Sequence, residues 1–352
     1  MSQFHSLTIK SIDKITAHSV AISFEVPENL KTNFTFKAGQ YITLKTTING
    51  EEIRRDYSIC ASKNSGNLTV AVKSVNGGTF SVYANTKLKA GDTLEVAEPN
   101  GRFVFEPNEA KTRTVAAFAA GSGITPVLSI AKTLLEEEPF SNFILVYGNK
   151  SSKDTMFFKD LLDMQAQYGN RLHVHFIYSQ SREDNALLGR IEKSTVNLIV
   201  KNKYKEVTID AFYICGPEDM IHTVKDTLVE NNIKEESIFF ELFTVPDSPE
   251  KENSVEDLTG NTKIKVLVDD ETFEFEMSKE QSILEATLKQ DIDAPYSCQG
   301  GICSSCIARI TEGDAKMRQN NILTDNEVAE GLVLTCQAHP TSATIVVDYD
   351  DV

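Results

Sequence analysis

The chain has 352 residues, 41% hydrophobic and 24% charged, an ordinary globular composition in a length that exceeds one typical core, so two or three domains are expected. Its net charge is −16, of which residues 262–352 contribute −10; this argues against nucleic-acid or anionic-membrane binding and suggests a partner with a basic docking face, or an acidic surface kept for solubility. The first ten residues lack a basic head followed by an apolar stretch, and no window approaches the roughly 18 apolar residues of a membrane span, so the chain is expected to be soluble and cytoplasmic.

Residues 4–106 carry short alternating or apolar runs at 20–26, 41–45, 68–75 and 93–96, punctuated by turns such as Asn49-Gly50, Asn76-Gly77-Gly78 and Ala90-Gly91-Asp92. That rhythm predicts an antiparallel β-barrel or sandwich, in which Arg55-Asp56-Tyr57-Ser58 ends a strand. From Thr112 the pattern changes. Apolar strands at 114–120, 143–147, 172–178 and 211–215 alternate with helical stretches at 126–138, 155–168 and 217–231, and 237–243 supplies a last strand. This predicts an α/β doubly wound, parallel sheet.

Gly121-Ser122-Gly123-Ile124-Thr125-Pro126 joins the first of these strands to its helix. It departs from the dinucleotide fingerprint, with proline in place of the third glycine. Proline at a helix's first position gives up no needed N–H, so the turn can still cradle a nucleotide phosphate, or be a purely structural βα turn. Cys215-Gly216-Pro217 ends a later strand, where a buried cysteine is ordinarily a small hydrophobe. Residues 246–261 have a linker composition, polar and nearly free of large apolar side chains. Paired strands at 264–268 and 273–277, a short helix at 283–288 and a closing strand at 343–348 then predict a small α+β domain. The division expected is 1–108, 109–245, a linker at 246–261, and 262–352.

Four of the six cysteines are clustered: Cys298-Gln-Gly-Gly-Ile-Cys303-Ser-Ser-Cys306, then Cys336 after 29 intervening residues. In a large unexported chain clustered thiols bind metal or do redox chemistry. C-x4-C-x2-C…C is plant-type 2Fe-2S spacing, in which four thiolates complete two tetrahedral irons. Gly300 and Gly301 fall where a loop wrapping a cluster needs free dihedrals and N–H groups near sulfur. Zinc is the competing metal, although its structural sites come as two spaced pairs. Residues 262–352 resemble a plant-type ferredoxin, of β-grasp fold, on this spacing, on Pro295-Tyr296-Ser297 and on the segment from Gly331 through Thr335-Cys336 to Pro340. Gln299-Gly300-Gly301 replaces the usual Arg-Ala-Gly, as in ferredoxin domains fused to reductases.

Residues 1–245 resemble the ferredoxin-NADP reductase superfamily on Arg55-x-Tyr57-Ser58, Val72-Lys73, Gly77-Gly78-Thr79-Phe80-Ser81, Gly121 to Pro126 and Cys215-Gly216-Pro217. The resemblance implies FAD. Arg55 would meet its pyrophosphate, Tyr57 would lie against the isoalloxazine, Ser58 would reach the N5 region, and Val72, Lys73, Gly78, Phe80 and Ser81 would line the site. It also implies that Gly121, Gly123, Ile124, Thr125 and Pro126 border the nicotinamide nucleotide, beside Cys215, Gly216 and Pro217. Cys215 would help place nicotinamide C4 and is not expected to be a nucleophile. Phe243 matches an aromatic near the flavin, or is a core phenylalanine. Ser58, Cys215 and Phe243 are thus the candidates nearest to hydride transfer. Ser181-Arg182 resembles the pair that binds the 2′-phosphate, favouring NADPH over NADH; an arginine solvated in a loop is the competing view.

Nicotinamide gives up two electrons as hydride and a 2Fe-2S cluster accepts one, so a flavin between them completes the order NADPH, FAD, cluster. With the reductase first and the ferredoxin last, the arrangement resembles that of phenylacetyl-CoA epoxidase reductases and related oxygenase reductases. The expected partner is an oxygenase component. The alternatives are a general NAD(P)H-dependent ferredoxin or cytochrome reductase and a non-catalytic redox-sensing module, against which the two intact nucleotide segments argue.

Overall fold

The computed structural model of this chain describes residues 3–243 and 258–352, so most of the expected linker, 246–257, lies outside the described residues. These residues form two compact units, one spanning Phe4–Ile53 and Tyr57–Phe243 and one holding the C-terminal residues 258–352.

The first unit begins with β1 (Phe4–Thr16), β2 (Ser19–Glu25), β3 (Tyr41–Ile48), β4 (Glu51–Ser58), β5 (Leu68–Lys73), α1 (Thr79–Thr86) and β6 (Thr93–Ala97). The six strands form one sheet in the order β4-β3-β6-β1-β2-β5, with antiparallel pairing. Ile59, just after β4, bridges Val70 of β5 and so curls the two edges of the sheet towards each other. Leu7 and Ile9, Val20, Ile22 and Phe24, Ile42 and Leu44, and Leu68, Val70 and Val72 recur at two-residue spacing and fill the interior. Each such burial stabilises the barrel by about 1.5–3 kcal/mol.

The chain continues through β7 (Thr114–Ala120), α2 (Ile124–Glu137), β8 (Asn142–Asn149), α3 (Phe158–Tyr168), β9 (Leu172–Tyr178), β10 (Ala186–Leu188), α4 (Lys193–Asn197), β11 (Ala211–Gly216), α5 (Glu218–Glu230) and β12 (Ile238–Leu242). The sheet is wholly parallel, in the order β10-β9-β8-β7-β11-β12. The strand order reverses between β7 and β11, which leaves a crevice beyond their carboxyl ends, where ligands bind in folds of this kind.

Two expected helices start elsewhere. α2 begins at Ile124, behind a 3-10 turn over Gly121–Gly123, so Pro126 is third in the helix rather than first. Its missing N–H is still one that has no intrahelical acceptor. α3 begins at Phe158, not 155, because Phe157 takes a left-handed φ of 58°.

The barrel and the parallel sheet share a core that includes Ala38, Cys60, Phe103 and Phe105 from one and Val127, Ile130 and Tyr213 from the other. At the junction the fully buried Glu138 accepts from Arg113 (2.6 and 3.1 Å), from Ser141 (2.7 Å) and from the Asn108 N–H (2.9 Å). Burial alone would raise its pKa, but these donors together hold it below the usual carboxylate range.

The second unit contains β13 (Asn261–Val268), β14 (Glu271–Ser278), α6 (Ile283–Leu288), β15 (Ile307–Glu312), β16 (Ala315–Met317), α7 (Asp325–Ala329), β17 (Leu332–Leu334), β18 (Ala338–Pro340) and β19 (Thr344–Asp348). The order is β14-β13-β19-β15-β17, with β13 and β19 parallel at the centre and a small β16-β18 ribbon beside it. α6, capped by the Ser282 side chain, packs its Ile283, Leu284 and Ala286 into the core under this mixed sheet, a β-grasp arrangement.

Candidate flavin, nucleotide and iron-sulfur sites

On the barrel, Tyr57 and Ser58 end β4. The Tyr57 ring lies 5.4 Å from that of Phe80, which sits in the first turn of α1 and is sealed into the barrel core. Gly78 is the N-cap of α1, and a Cβ there would come within 2.4 Å of Ser81 Oγ and 2.6 Å of Val75 Cγ2. The turn therefore demands glycine. The N–H groups that open the helix, those of Thr79, Phe80 and Ser81, have no intrahelical acceptor and form a cradle suited to a phosphate. Arg55 is exposed and donates to the Arg54 carbonyl (2.6 Å). Val72 faces the barrel interior, and its carbonyl accepts from Asn85 (3.1 Å), so it offers a wall rather than a polar contact.

The loops after β7 and β11 meet at the switch point. Gly121 has a φ of 56°, and its carbonyl accepts from the buried Tyr147 hydroxyl (2.9 Å). A Cβ on Gly123 would lie 2.1 Å from the Cys215 carbonyl oxygen, and one on Gly216 would lie 2.7 Å from Met220 Cε. Ile124, Thr125 and Pro126 are buried in the helix start, where Thr125 Oγ1 donates to the Ser122 carbonyl (3.0 Å), while Pro217 caps α5. Lys73, at the end of β5, brings its ammonium 3.4 Å from the position a Gly121 Cβ would take. Its pKa is lowered by burial, against the attraction of Asp154.

Ser58 and Cys215 are brought together through a residue that sequence reasoning did not assign. Ser58 Oγ donates to Glu241 Oε2 (3.3 Å), and Glu241 is in register with Cys215 across the β11-β12 pair. Burial pushes the Cys215 thiol well up and the Glu241 charge adds to that, so it is no nucleophile. Phe243 lies two residues beyond Glu241 and is 36% exposed. In the loop after β9, Ser181 Oγ donates to Glu183 (3.1 Å), which also accepts from the Ser152 N–H, and Arg182 is exposed. Glu241, Tyr147 and Glu183 carry no motif of their own; only strand register and loop packing reveal them.

In the second unit the cysteine loop delivers Cys298, Cys303 and Cys306 just before β15, and Cys336 stands between β17 and β18. The pKa of the Cys298 thiol, which stands in for an iron-bound thiolate, is lowered to about 6 chiefly by its neighbour Cys303, against burial, with help from the N–H groups of Gly300, Ile302 and Cys303. The Cys336 thiol is lowered chiefly by Cys306, again against burial. Among the described residues no three His, Cys, Asp or Glu side chains are grouped as a single metal ion requires. The left-handed residues are Gln299 (φ 52°) and Gly301 (φ 71°), whereas Gly300 serves by its N–H, 3.3 Å from Cys298 Sγ. Gln337 donates to the Gln299 carbonyl (3.0 Å) and so ties the two ligand segments together. The Ser297 hydroxyl, beside the first ligand, is buried without a partner, an orphan that a cluster sulfur would satisfy.

Residues 6–105 match the oxidoreductase FAD-binding domain family, 118–226 the oxidoreductase NAD-binding domain family and 266–341 the 2Fe-2S iron-sulfur cluster binding domain family. The chain is 39% identical to the E component of 1,2-phenylacetyl-CoA epoxidase from Escherichia coli (strain K12), over 99% of each chain. It belongs to the flavin and iron-sulfur oxygenase reductase family. Another relative is the ferredoxin reductase component of 3-ketosteroid-9-alpha-monooxygenase from Rhodococcus rhodochrous, 29% identical over 97% of this chain and 96% of the other. The fold is also that of phthalate dioxygenase reductase, with a TM-score of 0.61 at 24% identity and 98% coverage of both chains. This oxygenase reductase is therefore an oxidoreductase with FAD, NAD(P)H and a 2Fe-2S cluster as cofactors. Among the described residues no helix is long and apolar enough to cross a membrane.

Proposed function

We propose that this chain is the reductase of a phenylacetyl-CoA epoxidase-type multicomponent monooxygenase, that it draws on NADPH in preference to NADH, and that its acidic C-terminal unit meets a basic face of the oxygenase. The observation that carries the electron-transfer reading is the convergence at the β7-β11 crevice. There the Gly121 turn, the Cys215-Gly216 peptide and Ser58 of the barrel come together around Glu241. When bound, FAD accepts a hydride from the nicotinamide and gives up its electrons one at a time, as the cluster can carry them.

In this reading the N–H groups opening α1 and the Arg55 guanidinium hold the FAD pyrophosphate, and Tyr57 offers the flavin an aromatic face. Gly121, Gly123 and Gly216 let the nucleotide approach main chain, and Lys73 supplies a cation beside that turn. Cys215, Ser58 and Phe243 shape the place where nicotinamide meets flavin and transfer no proton. Ser181 and Arg182 receive the 2′-phosphate, which supports the preference for NADPH. Cys298, Cys303, Cys306 and Cys336 hold the cluster. The charge of −10 on residues 262–352 supports the basic partner face, and the end-to-end identity to the Escherichia coli epoxidase component supports the substrate class.

The test is anaerobic stopped-flow mixing of the purified protein with NADPH and with NADH, following flavin bleaching and the visible cluster bands. Flavin bleaching first, cluster second and NADPH faster is the expected result. Failure of either nucleotide to bleach the flavin would overturn the hydride reading. Turnover of phenylacetyl-CoA with the cognate oxygenase component present tests the substrate class separately.

A further inference from the structure

The loop after β9 sets a carboxylate on the serine that the nucleotide is expected to use. Ser152 opens a 3-10 turn at Ser152–Asp154, so its N–H finds no acceptor inside that turn. Glu183 Oε1 accepts this N–H (3.1 Å) and also the Ser181 hydroxyl (3.1 Å). The Ser152 N–H does most to hold the Glu183 carboxyl below the usual carboxylate range, and the Ser181 hydroxyl acts in the same direction, so the group is an anion at neutral pH.

The loop does not depend on that carboxylate for its course. The N–H groups of Ser179 and Gln180 donate to the carbonyls of Asn149 and Lys150 (both 3.0 Å), the Ala186 N–H donates to the Glu183 carbonyl (3.1 Å), and the Gly189 N–H returns to the Tyr178 carbonyl (2.9 Å). These main-chain bonds join the loop to the end of β8 and close its turn, so the Glu183 side chain can leave its two donors with the main chain still in place. A serine hydroxyl has one proton to give, and an ionised carboxylate and a phosphate dianion are both acceptors. Ser181 therefore donates to one or the other, and the two anions repel each other besides. A ribose 2′-hydroxyl is different: it donates, and a carboxylate is the acceptor that suits it. The same side chain thus works against a nucleotide that carries a 2′-phosphate and for one that lacks it.

We propose that Glu183 is a specificity-determining residue: an internal anion that holds the Ser152 N–H and the Ser181 hydroxyl until a 2′-phosphate displaces it, and that accepts the ribose 2′-hydroxyl when no phosphate is there. This rests on the reading of Ser181 and Arg182 as the 2′-phosphate site. The exposed Arg182 draws the phosphate in, and Glu183 opposes it from the next position in the chain. The preference for NADPH is the difference between the two, and it stands below what the arginine alone would give. NADH remains usable because the carboxylate that NADPH must displace is a partner for its ribose.

The test is isothermal titration calorimetry of the holoprotein and of Glu183→Gln with 2′,5′-ADP and with 5′-AMP, alongside steady-state kinetics with NADPH and NADH and thermal unfolding. The amide oxygen of glutamine still accepts the Ser152 N–H, so the substitution keeps the tie and removes the charge. Binding of 2′,5′-ADP and kcat/KM for NADPH should rise about tenfold, while binding of 5′-AMP and kcat/KM for NADH should fall about two- to threefold. Adding Ser181→Ala to Glu183→Gln should take back most of the gain. Asp184→Asn removes an exposed charge one residue further on and should bring a gain of under about twofold. Unchanged or weaker binding of 2′,5′-ADP by Glu183→Gln would overturn the proposal, a lowered melting temperature with it marking Glu183 as a structural tie. A gain of equal size from Asp184→Asn, or one that survives whole in the double variant, would also overturn it by making the effect one of surface charge in general. If instead Arg182→Ala leaves 2′,5′-ADP binding untouched, the 2′-phosphate assignment beneath the proposal fails.

Discussion

At the β7-β11 crevice the shaping is done by main chain. Gly123 approaches the Cys215 carbonyl so closely that a Cβ would stand 2.1 Å away, Gly121 turns through a positive φ, and the helix starts present N–H groups from regular structure. In the cysteine loop of the C-terminal unit the weight lies on side chains. Residues 289–306 form no helix or strand, and the thiols of Cys298, Cys303 and Cys306 stand on that irregular loop. A site built from backbone tolerates many side chains but no added bulk. A site built from side chains tolerates an irregular backbone but no change of ligand atom.

The sharpest way to break that comparison is Cys336→Ser. It should abolish the visible cluster bands and the passage of electrons to a one-electron acceptor, while flavin bleaching by NADPH, measured on the same sample, persists. Glu138→Gln probes the scaffold behind the crevice. It leaves the half-buried Arg113 without its charge partner and should cost about 3 kcal/mol, read from the urea midpoint. Because the folded pKa of Glu138 lies below its unfolded value, its stabilisation is complete above about pH 4.3 and is lost as the pH falls through the folded value. The gap between the protein and this variant should therefore close at the acid end of a pH series.

Gly123→Ala adds a single methyl group where the backbone leaves no room. It should cost about 3 kcal/mol and slow NADPH-driven flavin bleaching, with the cluster bands untouched. Unchanged rates and stability would show that the crevice is softer than its geometry. The smallest expected effect is that of Arg182→Ala. Losing about 1.5–3 kcal/mol of charged hydrogen bonding should raise KM for NADPH roughly ten- to a hundredfold and leave KM for NADH unaltered in steady-state assays.

How much could be read in advance follows the same division. Cys298, Cys303, Cys306 and Cys336 stood out as candidates because iron restricts the identity and spacing of its ligands. Gly121 to Pro126 and Cys215 to Pro217 stood out as candidates because close main-chain approach, which the structure has at Gly123 and Gly216, admits few residue types. Glu241 was not. It matters only because β12 pairs with β11 in the register that sets it beside Cys215, and because Ser58 reaches it from another strand. Tyr147 was hidden for the same reason: a tyrosine in an apolar strand gives no sign that its hydroxyl will hold the Gly121 carbonyl. β1, thirteen residues rich in polar side chains, did not announce its full length, since half of it is held by ladder bonds rather than by an apolar face. Nor did the left-handed turn at Phe157, which no local signal favours, and which moved the start of α3.

Tyr213 lies two residues before Cys215 on β11. Its ring meets Phe103 edge-on at 5.3 Å, stacks on Phe239 at 5.0 Å, and its hydroxyl donates to the Val104 carbonyl (3.1 Å). The strand that ends at the crevice is thus pinned to the last stretch of the barrel roughly 6–7 Å upstream, the length of two extended residues. So short a lever arm amplifies little angular error. Differences in hydride-transfer rate among chains of this design should then arise from how the nucleotide seats itself, with the frame that receives it already set.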